Sequence, residues 1–147
     1  ILQIHKDCKI YFFPLDLANK QSIEEFSKKV KEICDHIDIL VNNAGVSLIE
    51  HKKTKDGFEL NMGTNHLGHF YLTSLLWERI KKVEKPRIIN VSSLAHKGRG
   101  RSQNVGLDFD DLNMEKVFIG REAYGRSKLA NILFAKELQN RMDQSRI

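Results

Sequence analysis

The 147-residue sequence predicts an α/β fold, a parallel sheet covered by helices on both faces. Three observations point there. Short β-branched apolar runs alternate with stretches of helical period, the order expected where parallel strands are joined by helical crossovers. The runs stop on polar or glycine residues, at Asp16-Leu17, at Asn42-Asn43-Ala44-Gly45 and at Ser92-Ser93. In such sheets ligands bind beyond the carboxyl ends of the strands, so these polar groups fall where a site is expected.

Residues 10–15, "IYFFPL", read as the first strand, with Pro14 near its end because proline lacks an N–H for the ladder. A helix follows over 22–37, opened by a Ser22/Glu25 capping box and striped by Ile23, Phe26, Val30, Ile33, Cys34 and Ile37. "IDILV" (37–41) is a buried strand running into "NNAG". A long helix spans Gly57 to Ile80, apolar at Phe58, Leu60, Met62, Leu67, Phe70, Leu72, Leu75, Leu76 and Ile80. After Pro86, "RIINV" (87–91) is a third strand. Residues 94–121 are polar and glycine-rich, a loop of functional length. The pattern is helical again from Glu122 to Met142, with Leu129, Ile132, Leu133, Ala135 and Leu138 apolar. One layered domain accounts for the chain, although three strands make a thin sheet.

Composition excludes several function classes. The net charge of +5 is scattered, and its small clusters, Lys28-Lys29-Lys31 and "HKGRGR" (96–101), are not interleaved with aromatics as a nucleic-acid platform would be. No apolar run approaches the roughly 20 residues of a membrane span, and the N-terminus lacks a signal-peptide pattern. A cytoplasmic location is expected, with membrane association through segments outside these residues as the alternative. Cys8 and Cys34 have no metal spacing and are expected as buried thiols. His66 and His69, three apart, lack a carboxylate or cysteine partner and are expected to pack rather than bind metal.

Tyr124 and Lys128 stand four apart, on one face of a helix. A phenol is a poor proton acceptor at neutral pH, and a neighbouring ammonium favours its anion. Such a pair can exchange a proton with an alcohol or carbonyl oxygen, and a serine at a strand end can hold that oxygen. Taken alone the spacing is weak, since composition supplies about 0.3 such matches. From the pair alone, two polar residues on the solvated face of an amphipathic helix is the favoured reading.

The motifs in combination are specific. "ILVNNAG" (39–45), "NHLGHF" (65–70), "RIINVSS" (87–93) and "YGRSK" (124–128), in this order, closely resemble the short-chain dehydrogenase/reductase superfamily. The longer phrases "DGFELNMGTNHLGHFYLTSLL", "INVSSLAHKG", "DFDDLN" and "AYGRSKLANILFAKEL" resemble its retinol dehydrogenase-like branch, which includes the WW-domain oxidoreductases. The resemblance implies a Rossmann-type doubly wound sheet and an NAD(P)-dependent interconversion of alcohol and carbonyl on a small hydrophobic, retinoid- or lipid-like substrate. It implies Tyr124 and Lys128 as the catalytic pair, Ser93 as the substrate-orienting serine, and Asn65 as the asparagine that interrupts the central helix and holds a relay water. It further implies that Lys128 binds the nicotinamide ribose and that Val91 lies near the nicotinamide. Asn42, Asn43, Ala44 and Gly45 would lie along the adenosine side and support the central sheet, while Asp16 and Leu17 would touch the adenine. Asp16 stands equally as a turn residue, and the asparagines as loop caps. NADP is expected, with NAD as the alternative. Helices 57–80 and 122–142 resemble those of a four-helix homodimer interface.

The sequence departs from the family in one respect. The glycine-rich phosphate loop is absent; its backbone N–H groups and helix N-terminus would hold the pyrophosphate. Residues 1–147 are therefore expected to be the central part of one NAD(P)-binding domain, without its N-terminal βαβ unit and C-terminal substrate segment. The competing expectations are a truncated, non-catalytic interaction or dimerisation module, and a nucleotide-sugar epimerase sharing Tyr-x-x-x-Lys. The "INVSSLAH" phrase opposes the latter.

Overall fold

The computed structural model describes residues 8–98 and 105–144. Its elements are α1 (Lys20–Ile33), β1 (Ile39–Asn42), α2 (Leu60–Met62), a π-turn (Gly63–Leu67), α3 (Gly68–Ile80), β2 (Arg87–Asn90), a 3-10 turn (Leu94–Lys97) and α4 (Gly120–Gln144). β1 and β2 pair in parallel, Ile39 opposite Arg87 and Asn42 opposite Asn90. That is the strand–helix–strand crossover the alternating pattern predicts.

Among the described residues two strands form where three were expected. Residues 10–15 are extended in pattern but unpaired: Phe13 packs edge-on against Phe26 with centroids 6.4 Å apart, while Phe12 is 90% exposed. A strand needs a hydrogen-bonded neighbour. Among the described residues this segment finds none, since the sheet consists of β1 and β2. Cys8, just before this segment, is exposed rather than buried, and Cys34 is half-buried.

Among the described residues, the sheet is covered on one face and not on both. Leu40 and Ile88 turn into the core formed by Leu17, Ile23, Leu72, Leu76 and Ile80. The alternate residues Ile39, Val41 and Ile89 are 57%, 54% and 46% exposed. Among the described residues, α1 and α3 supply the covered side, and Leu17 joins it because Gly68 lets α3 approach the Leu17 carbonyl closely.

Helix boundaries differ from the sequence pattern for local reasons. α1 starts at Lys20 because Asn19, not Ser22, is its cap: the Asn19 side chain accepts from the Gln21 N–H. The Ser22 hydroxyl is turned back to accept from the Asp16 N–H at 2.9 Å. α1 ends at Ile33, and Cys34 takes extended geometry. The second helix begins at Leu60, three residues later than expected, where Glu59 caps it by accepting from the Asn61 and Met62 N–H groups. It then continues through the π-turn to Ile80. Gln144 is the last described residue, and residues 99–101 of "HKGRGR" lie outside the described residues.

Candidate active site

The site lies beyond the carboxyl ends of β1 and β2, where the π-turn and α4 meet. Its walls are polar to an unusual degree. Asn42, Glu59, Asn61, Asn65 and Ser127 are all at most 2% exposed, so each must find its hydrogen bonds inside the protein.

Asn65 sits in the middle of the π-turn, where a helix gains one residue and its backbone ladder is disturbed. Its amide pairs with both polar groups of Val46: Oδ1 accepts from the Val46 N–H at 2.7 Å and Nδ2 donates to the Val46 carbonyl at 2.9 Å. Nδ2 donates also to the Ser127 hydroxyl at 2.9 Å, which in turn donates to the Tyr124 carbonyl at 2.7 Å. The Asn65 carbonyl faces Nδ1 of His69 at 2.9 Å, which fixes that nitrogen as the protonated donor.

Lys128 is 4% exposed. Its ammonium donates to the Val91 carbonyl at 3.3 Å and lies 5.6 Å from the centre of the Tyr124 ring. The same carbonyl accepts from Asn131 Nδ2 at 3.2 Å. Gly45 completes this corner. A Cβ there would stand 2.9 Å from Asn65 Oδ1 and 3.4 Å from the Lys128 ammonium, so the loop after β1 can pass only without a side chain. An ammonium with three donors and one such bond, beside a glycine-lined approach, suits a hydroxyl-rich ligand such as a ribose.

Ser93 opens the 3-10 turn, its hydroxyl accepting from the Ala95 N–H at 3.2 Å. Gly125 brings α4 against this turn: a Cβ there would lie 2.7 Å from the Ala95 carbonyl. Ser93 lines a cleft of about 910 Å³ with Leu94, Ala95, Val105 and Ile119, together with Lys97, Gly98, Arg121 and Glu122. Ser92 is spent on structure, donating to the Lys128 carbonyl at 2.8 Å.

The structure therefore brings Tyr124, Lys128, Asn65, Gly45 and Val91 together, with Ser93 on the turn that packs against α4. The other expected residues take no side-chain part in these bonds, although the Asn42 carbonyl accepts from the Val91 N–H at 3.0 Å. The Asn42 side chain is turned under the sheet, donating to Thr73 at 3.1 Å and Asn90 at 2.9 Å, while Ala44 is exposed past the end of β1. Asp16 folds an Asx turn, accepting from the Ala18 N–H at 2.9 Å, and Leu17 is buried in the core. Both pattern histidines are used in packing. His66 meets Asn131 Oδ1 at 3.2 Å and packs tilted against Phe70 and edge-on against Phe134. Burial holds both imidazoles below their ordinary range; the Asn131 bond opposes this for His66, and the Asn65 carbonyl opposes it for His69.

Sequence reasoning missed Ser127, Asn131 and Asn61. Ser127 is adjacent to Lys128 within "YGRSK", and Asn61 precedes Asn65 by one helical turn; that spacing was the readable signal.

Comparison with known proteins follows the same lines. The short chain dehydrogenase family matches residues 2–105. Retinol dehydrogenase 13 of Homo sapiens is 48% identical over 132 residues, 89% of this chain and 38% of its own length. Retinol dehydrogenase 11 of Mus musculus is 45% identical over 137 residues, 93% of this chain and 42% of its own. The chain thus spans about two fifths of the length of these curated relatives. Among solved structures, an uncharacterized protein from Mycobacterium Paratuberculosis superposes with a TM-score of 0.72 at 38% identity, over 89% of this chain and 44% of that one. The Pseudomonas aeruginosa RhlG/NADP active-site complex shares the fold, with a TM-score of 0.64 at 24% identity over 90% of this chain and 47% of that one.

Proposed function

This chain belongs to the short-chain dehydrogenase family, and from that premise we propose that it carries the proton-transfer half of an NAD(P)-dependent oxidoreductase that interconverts an alcohol and a carbonyl. The observation that carries the proposal is the buried Lys128 ammonium, set beside the Tyr124 ring and against the Asn65 π-turn. When bound, the nicotinamide cofactor supplies or accepts the hydride. Tyr124 gives its phenolic proton to the carbonyl oxygen in reduction and takes it back in oxidation. Lys128 stabilises negative charge on the phenolic oxygen and offers its remaining N–H groups to the nicotinamide ribose. Ser93 holds the substrate oxygen, and Asn65 connects Lys128 to solvent through water.

In the same proposal Val91 lies by the nicotinamide, Asn42, Ala44 and Gly45 line the adenosine side, and Asp16 and Leu17 meet the adenine. The cofactor is NADP in preference to NAD, on the resemblance to the retinol dehydrogenase branch. Leu94, Val105 and Ile119 in the cleft beside Ser93 favour a small hydrophobic substrate. Among the described residues no helix is long and apolar enough to cross a membrane. The groove between α3 and α4, lined by Phe70, Trp77, Phe134 and Leu138, supports a homodimer through those helices. Residues 1–147 form the central part of one NAD(P)-binding domain.

The test uses a full-length retinol dehydrogenase relative in which these residues replace the matching segment. Tyr124→Phe should lower kcat by about 10³-fold while the fluorescence titration with NADPH is nearly unchanged. Substantial residual turnover would sink the acid–base role. The exposed face of Ile39, Val41 and Ile89 favours a second reading, a non-catalytic interaction module. Failure of both the chain and the chimaera to bind NADPH would select it.

A further inference from the structure

Asn65 is not the only asparagine sewn to the loop after β1. One helical turn earlier, Asn61 is fully buried. Its Oδ1 accepts from the Leu48 N–H at 2.8 Å, and its Nδ2 reaches the Leu48 carbonyl at 3.4 Å. Asn65 pairs the same way with Val46. Residues four apart on a helix lie on one face, whereas residues two apart on an extended segment point the same way. The two amides thus imitate a strand, pairing with alternate residues of the loop as a ladder would.

The direction of the Asn61 amide is itself fixed. Glu59 Oε1 accepts from both the Asn61 N–H and Nδ2 at 2.8 Å, and a carboxylate oxygen can only accept. Nδ2 must therefore face Glu59, which leaves Oδ1 for the Leu48 N–H. Glu59 is in turn held at its own N–H by Asn113 Oδ1 at 2.9 Å.

What the clamp holds matters because of what rests on it. α4 begins at Gly120, and a Cβ there would stand 2.6 Å from the Leu48 carbonyl and 2.5 Å from the Ile49 Cα. The first turn of α4 is thus seated directly on the backbone that Asn61 grips. Tyr124 follows four residues later, one turn up the same helix.

We propose that Asn61 is a positioning residue: by pairing with both polar groups of Leu48, it fixes the seat on which the first turn of α4, and with it Tyr124, is placed. The consequence for turnover rests on the acid–base role given to Tyr124 above; the consequence for geometry does not.

Two measurements separate these. In the 147-residue chain, Asn61→Leu should abolish the exchange protection of the Leu48 amide, leave that of Val46, and move the Tyr124 ring resonances. Asn19→Ala, which removes only the α1 cap, should leave all three unchanged. In the chimaera, Asn61→Leu should lower kcat by about 10- to 100-fold with little change in cofactor affinity, whereas Asn19→Ala keeps kcat. Asn61→Ser, which is smaller and cannot span both groups of Leu48, should do the same if the leucine variant does not fold. An unprotected Leu48 amide in the parent chain, or a Tyr124 signal that ignores both Asn61 variants, overturns the proposal. So does a kcat lost equally in the Asn61 variants and Asn19→Ala. An inactive parent chimaera would count against the catalytic reading alone, because the exchange and ring signals still decide the clamp.

Discussion

Ser127→Ala offers the most direct test of how the site is held together, because the structure supplies its own control. The Ser127 hydroxyl makes two contacts: it donates to the Tyr124 carbonyl three residues back at 2.7 Å, and it accepts from Asn65 Nδ2 at 2.9 Å. The exposed Ser74 makes the first kind of contact alone, donating to the Tyr71 carbonyl at 2.7 Å. Losing that contact costs little, since the carbonyl remains in the helical ladder. Losing the second strands one N–H of a fully buried amide, which costs about 1–3 kcal/mol. At this chain length each kcal/mol shifts the melting temperature by about 3 °C, so Ser127→Ala should melt roughly 3–9 °C lower. Ser74→Ala should stay within about 0.5 kcal/mol of the parent. Urea unfolding of the three proteins, with Asn65→Ala and the double variant to close the cycle, measures both costs. A Ser127→Ala protein as stable as Ser74→Ala, or a cycle that is additive, would refute the proposed link between the π-turn and the Tyr124 helix.

Two further outcomes are expected. Gly125→Ala should destabilise, although alanine in a helix interior normally gains about 0.5–1 kcal/mol over glycine, because its Cβ would meet the Ala95 carbonyl at 2.7 Å. It should also lower kcat in the chimaera by parting Ser93 from α4; a gain in melting temperature would show that the helix and turn are not in that contact. The second concerns pH. Burial holds His66 and His69 below the ordinary value of 6.5, so the folded chain resists protons that the unfolded chain accepts. Stability is then complete above pH 6.5, declines as pH falls below it, and stops declining on this account beneath the lowered folded values. Unfolding midpoints measured from about pH 7.5 to about pH 5 should show the slope, and His66→Gln with His69→Gln should flatten it. A level parent profile would contradict the burial of the two rings.

The parts of the fold that were legible are those whose cause is local. "IDILV" and "RIINV" announce buried strands by continuous β-branched runs, and β1 and β2 lie within or one residue beyond them. Residues 10–15 carry the same signature and fail, because pairing is decided by a neighbour and not by the segment. Ser22 with Glu25 has the form of a capping box, but Asn19, three residues earlier, reaches the Gln21 N–H first. Asn65 is unfavourable in mid-helix, and that local conflict marks the π-turn. Asn61, in the first turn after the Glu59 cap, carries no such conflict, and its pairing with Leu48 depends on a loop that the local sequence does not place. Ser127 carries none, since a small polar residue inside a helix has many harmless placements.

The bonds that join Lys128, Asn65 and the Tyr124 backbone run among four elements. β1 leads into Gly45 and Val46, which Asn65 grips. β2 ends at Val91, whose N–H donates to the Asn42 carbonyl at 3.0 Å and whose own carbonyl receives Lys128 and Asn131. The π-turn reaches α4 through Ser127, and the Ser92 hydroxyl reaches it at the Lys128 carbonyl. None of these bonds passes through residues 8–19 or the exposed face of the sheet. The arrangement of Tyr124, Lys128 and Asn65 is therefore held by β1, the π-turn, β2 and α4, with the Asn61–Leu48 pairing under the first turn of α4, separately from whatever holds the cofactor's phosphates. Loss of NADPH binding and loss of the Tyr124 arrangement should accordingly be separable by mutation. Substitutions at Asp16 should touch only the first, and those at Ser127 only the second.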